Sequence, residues 1–150
     1  MNFIRLTESC YINRQDLDTA QHIAIEEYDY EMSNGEKVCG YEINLFFFEK
    51  DSLPILPITS KPEQLYEMIA SISQKLDMVK LAPGLYINKT LKVKAFSIQE
   101  YCGDHPQRSE KHLILFMLSN GTHAAIGSFP NYQSALDYLS GVSCACHVSL

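Results

Sequence analysis

The sequence predicts an α+β fold built on an internal tandem repeat, ββββα-ββββα, with antiparallel sheets and two helices packed about a pseudo-twofold axis. Three observations predict it. Segments of the first half return in order in the second: Phe3–Asn13 as Met78–Asn88, Ile25–Tyr28 as Ile98–Tyr101, and Ile43–Phe48 as Leu113–Leu118. Short stretches alternate apolar and polar residues with a period of two between turn signals. Each half then ends in one stretch of helical spacing. The spacing of the copies makes one domain of two repeats, the first about 1–77 and the second about 78–150.

Each copy opens with a short strand. In Phe3–Leu6 the apolar Ile4 and Leu6 flank an outward Arg5, and Val79, Lys80 and Leu81 repeat the pattern. A turn follows, Thr7–Cys10 in one copy and Ala82–Leu85 with its Pro-Gly in the other, and Tyr-Ile-Asn closes a hairpin in both. The next strand is His22–Tyr30, matched by Val93–Tyr101. The offset between copies falls from 75 residues at Tyr11 to 73 at Ile25, and a change of two keeps strand facing. The turn Ser33–Glu36 leads to Tyr41–Phe48, and Gly103–Pro106 leads to His112–Leu118. Phe46–Phe48 and Leu113–Leu118 are apolar on both strand faces and predict central strands covered on both sides. The fourth strands are Leu53–Ile58 and Thr122–Gly127. Pro54 and Pro57 lack amide donors and place the first of these at an edge. Ser60–Glu63 matches a capping box before Leu65, Met68, Ile69 and Ile72. Ser128–Asn131 precedes Ala135, Leu136, Leu139 and Val142, with Gly141 as the stop.

The tandem ββββα layout resembles that of Whirly and PUR proteins. The resemblance lies in element order over most of the chain and carries no residue motif. It implies single-stranded nucleic-acid binding.

Composition limits the function classes. The chain has 150 residues and a formal charge of −6, which opposes capture by nucleic acid or anionic membrane. The two halves differ in sign. Residues 1–77 hold 14 Asp and Glu against 6 Lys and Arg; residues 78–150 hold 4 against 6. The start, Met1–Glu8, lacks the apolar stretch of a signal peptide, and the longest apolar run, Leu113–Leu118, is far short of a membrane span. The expectation is a cytoplasmic protein, away from membranes, with its 5 cysteines as free thiols.

Chemistry-bearing patterns are sparse. Cys144, Cys146 and His147 are soft-metal ligand types, but the spacing is not that of a paired zinc motif, and incidental thiols are the ordinary account. No metal or other cofactor is expected. Cys10 and Cys102 fall near strand ends, where a small buried apolar side chain is usual. Glu27 and Glu100 occupy matching positions, each before a tyrosine; a pseudo-twofold would bring them together, whereas exposed strand glutamates are the commoner case. No glycine-rich phosphate loop, nucleophile elbow or zinc-protease helix occurs.

The leading reading is a non-catalytic binding module for a protein partner, of the inhibitor or immunity type. Glu26, Glu27, Tyr28, Asp29 and Tyr30 would form its interface, as aromatic anchors among carboxylates facing a basic partner. Small acidic chains of this kind occur on mobile elements such as integron cassettes. Exposed strand edges allow a homodimer. The alternative is a single-stranded nucleic-acid binder using Arg5, Arg14, Lys80, Lys89, Lys92 and Lys94, with the last two on one strand face opposite Leu91, Val93 and Ala95. A third reading is a thiol- or metal-dependent protein using the Cys144/Cys146/His147 tail.

Overall fold

The computed structural model describes residues 2–48, 52–101 and 111–142. It is a mixed α+β structure in which the recorded ladders are antiparallel. The elements are β1 (Phe3–Arg5), β2 (Tyr11–Asn13), a 3-10 helix (Arg14–Thr19), β3 (Ala20–Glu31), β4 (Lys37–Phe47), β5 (Ser52–Thr59), α1 (Glu63–Lys75), β6 (Met78–Ala82), β7 (Leu85–Asn88), β8 (Val93–Tyr101), β9 (Lys111–Leu118), β10 (His123–Phe129) and α2 (Tyr132–Val142). No helix among the described residues is long and apolar enough to cross a membrane. The chain divides into two compact units: Met1–Val79 with Pro83–Lys89, and Lys80–Ala82 with Thr90–Leu150.

In the first unit, strand alternation sends Ile23, Ile43 and Leu45 to one face of the sheet, and α1 lies across β3 and β4 there. Leu65, Ile69 and Ile72 recur at helical spacing and are the buried apolar side chains of α1, joining Ile55, Leu6 and Ile12 in one core. β1 and β2 pair as a separate hairpin. Lys75, at the end of α1, holds that hairpin by donating to the Leu6 carbonyl at 3.2 Å. The five-stranded order is β5-β4-β3-β7-β6, so the strand with Pro54 and Pro57 is at an edge. β4 is central, but its unbroken burial falls on Glu42–Leu45; Phe46 and Phe47 are half-buried and Phe48, beyond the strand, is exposed, so the two-sided cover expected over Phe46–Phe48 lies nearer the middle of the strand. The second hairpin, β6–β7, belongs to this same sheet. β7 pairs with β3 at His22–Ala24, and its Leu85 and Ile87 are fully buried.

The second unit carries the three-stranded order β10-β9-β8, with α2 against β9 and β10. Its core includes Ile114, Phe116, Leu118, Ala124, Ile126, Ala135 and Leu139. β9 is central, but only alternate residues are buried and Met117 is 41% exposed, so the sequence overstated its cover on the second face.

Two local expectations change. Ser60 does not cap α1: the N-cap residue is Pro62 without a side-chain bond, and Thr59 takes the polar role by accepting from the Lys61 amide and donating to Gln64 Oε1. In α2 the cap is Asn131, whose Oδ1 accepts from the Ser134 amide at 2.8 Å.

Candidate functional site

The predicted interface residues lie on the far half of β3, the first strand of a long hairpin. Asn34 and Gly35 shape its turn: Gly35 takes φ +84°, and Asn34 Oδ1 accepts from the Glu36 amide at 2.9 Å. Register pairs run Glu26–Glu42, Glu27–Tyr41, Tyr28–Gly40, Asp29–Cys39 and Tyr30–Val38. Strand period therefore divides the predicted set. Glu26 and Glu27 point to opposite faces and enter different environments.

On one face, Glu26 meets Glu42 and Asn44. The Asn44 amide donates to Glu26 Oε1 at 2.7 Å and to Glu42 Oε1 at 3.2 Å. Glu42 is only 8% exposed. Burial raises the Glu26 carboxyl above its ordinary value; the Asn44 bond opposes this and the Glu42 charge adds to it. Further along the same face lies His22, 4% exposed and stacked on Phe46 with ring centroids 4.3 Å apart. Its Nδ1 is 2.8 Å from Gln21 Nε2. Burial lowers its pKa to about 4, so the ring is neutral at physiological pH and accepts the Gln21 bond. This face is a packed polar seam in which Gln21, His22, Glu42 and Asn44 are buried and Glu26 is half-buried.

On the other face, Glu27 joins groups the sequence did not single out. Cys39 Sγ donates to Glu27 Oε1 at 3.0 Å. Tyr41 stands opposite Glu27 across the ladder. The first turn of α1 adds Glu63 and Tyr66 beside them. The Tyr41 hydroxyl is raised above its usual range by burial first, and then by the proximity of Glu27, Cys39, Glu63 and Tyr66. Tyr66 is 44% exposed, and its ring lies against the turn between β6 and β7, where a Cβ on Gly84 would stand 3.4 Å from it. Gly84 has φ +80°, which only glycine adopts without strain. The result is a face of two carboxylates and two phenols, with an exposed thiol at its rim. Its chemistry suits a cationic group, through charge and through the tyrosine rings. A sequence signal existed: Tyr41 is two residues beyond Cys39, and Glu63 and Tyr66 are three apart on one helix face. Their convergence with Glu27 depends on tertiary packing.

The basic candidates are dispersed. Arg5, Arg14 and Lys89 belong to the first unit, and Lys80, Lys92 and Lys94 to the second. Lys89 pairs with Asp77. Lys92 precedes β8, its amide bonded to Ser119 Oγ at 3.0 Å. A register shift between Val93 and Ala95 interrupts alternation at Lys94. Val93 therefore pairs with buried Leu118, whereas Ala95 pairs with the open Met117, so Ala95 leaves the apolar set expected of it. Glu100 pairs with His112 in the second unit. Cys10 is half-buried, and burial raises its thiol. Cys102, Cys144, Cys146 and His147 lie outside the described residues. Among the described residues, no group of three or more His, Cys, Asp or Glu is placed to hold a metal ion. The chain matches no protein-family model, no curated protein and no solved structure.

Proposed function

We propose that this chain is a non-catalytic protein-binding module of the inhibitor or immunity type, which receives a basic partner on the face formed by Glu27, Tyr41, Glu63 and Tyr66. The observation that carries the reading is the convergence of these four side chains, from two strands and a helix, on one side of the first sheet. Carboxylates steer a cationic partner, and tyrosines anchor it with little loss of side-chain entropy. The interface proposed from Glu26 to Tyr30 is thereby narrowed to its Glu27 face and extended into α1. A cytoplasmic location and carriage on a mobile element accompany this reading, as does the tandem ββββα repeat. The repeat is supported by the recurrence of hairpin, three-stranded meander and helix in both halves, with five strands in each rather than the four expected.

An oligoarginine peptide tests the face. Binding by the wild type should be salt-sensitive, and Glu27→Lys with Glu63→Lys should weaken it at least about tenfold. Lys92→Glu with Lys94→Glu should leave it unweakened. Absence of binding, or indifference to the first pair, removes the reading. Single-strand binding through Lys92 and Lys94, both exposed, is the weaker proposal, because the formal charge of −6 opposes capture of a polyanion.

A further inference from the structure

The first unit also carries a surface of the opposite character. On the β1–β2 hairpin, Ile4 and Ile12 turn inward to the core, while Phe3, Arg5 and Tyr11 turn outward. Phe3 and Tyr11 are each 49% exposed, and Arg5 stands directly across the ladder from Tyr11. The Arg5 Nε donates to the Thr7 carbonyl at 3.1 Å, which holds the guanidinium at the tip of the ribbon. Arg14 follows β2 and is exposed. From Asn2 to Arg14 the one carboxylate is Glu8. Two half-exposed aromatic rings interleaved with arginine form the residue set that dominates protein interfaces.

The two faces sit at opposite ends of α1. Glu63 and Tyr66 occupy its first turn, and Lys75, in its last, holds the hairpin through the Leu6 carbonyl. A helix of 13 residues is about 20 Å long, so the faces cannot meet within one first unit. They are complementary in kind, carboxylates with tyrosines at one end and guanidinium groups with aromatic rings at the other.

We infer that the partner of the acid and tyrosine face is a second copy of this chain, whose Phe3–Arg5–Tyr11 hairpin docks head to tail against Glu27, Tyr41, Glu63 and Tyr66. This rests on the acid face being a binding surface for cationic groups, as proposed above. The contact is heterologous, so each chain retains one free face of each kind until a ring closes or a longer assembly grows.

Sedimentation velocity over a range of protein concentrations tests it, at low salt and at about 0.5 M, where charge pairs are screened within a few ångströms. The wild type should associate at low salt, with an association constant at least about tenfold lower at high salt. Phe3→Ser with Arg5→Glu removes one face, and Glu27→Lys with Glu63→Lys removes the other. Each variant alone should be monomeric. Mixed in equal amounts, the two should form a two-chain species and go no further, since each retains one intact face. Circular dichroism and thermal melts check the fold; should the lysine pair unfold, Tyr66→Ser serves in its place. A wild type that stays monomeric at low salt overturns the inference, as does either variant associating like the wild type. If that monomer still binds oligoarginine through Glu27 and Glu63, the acid face stands and only the second copy is excluded. If it binds neither, both fall.

Discussion

Glu26 is held by conflicting requirements. Its carboxylate accepts the Asn44 amide, yet it is largely buried opposite Glu42, so its pKa is raised. A raised carboxylate pKa means the folded state holds the proton more tightly than the unfolded state. Stability is therefore lost as pH rises above the ordinary value of 4.5. Glu26→Gln keeps an acceptor for Asn44 and removes the charge. It should stabilise the protein by about 1 kcal/mol at neutral pH, and the gain should vanish below about pH 4.5. Urea denaturation at several pH values checks this. His22 works in the other direction. Its pKa falls from 6.5 to about 4, so the unfolded state takes up the proton first as pH drops. Its contribution is full above pH 6.5 and is lost down to about pH 4, by at most roughly 3 kcal/mol. His22→Asn keeps an acceptor near the Nδ1 position. The variant should be less stable overall, through loss of the ring stacked on Phe46, but its stability should depend less on pH between 4 and 6.5. An unchanged slope would show that His22 is not the titrating group.

At the scale of the element, the helices separate what sequence patterns reveal from what they miss. Leu65, Ile69 and Ile72 announced α1 because a buried stripe must follow the helical period. The capping box did not form, since Pro62 took the N-cap position and Thr59 the polar contacts. Asn131→Ala should thus cost about 1 kcal/mol, whereas Ser60→Ala should cost less than about 0.5 kcal/mol. Urea titrations followed by circular dichroism compare them. The strands tell the same story. Pro54 and Pro57 announced an edge because a missing donor is a local fact. The β8 bulge and the exposure of Met117 depend on partners far along the chain, and the alternation of Lys92 and Lys94 gave no sign of them. The candidate site was legible to the same extent. The run from Glu26 to Tyr30 falls on one strand of the proposed face, but the strand period split it. Tyr41, Glu63 and Tyr66 reach Glu27 only through the β4 register and the position of α1.

For the whole molecule, the boundary read from the repeat and the boundary of the first unit differ chiefly by one strand, β7. The sequence repeat turns over at residues 77 and 78, yet Pro83–Lys89 belong with the first unit. There β7 closes the edge of β3 at His22–Ala24, the Gly84 carbonyl accepts from the Ile25 amide at 2.9 Å, and the Asn88 side chain donates to the Ala20 carbonyl at 2.9 Å. A chain ending at Asp77 would leave those backbone groups and the fully buried Ile23 without the strand that covers the edge. It also loses Leu85 and Ile87, each worth about 2 kcal/mol of burial. A chain ending at Lys89 retains all of these. The longer piece should therefore unfold cooperatively in urea and give dispersed amide resonances, while the shorter should be partly unfolded or aggregate. Equal cooperativity in the two would show that β7 is a passenger on the first sheet, and that the repeat boundary is also the folding boundary.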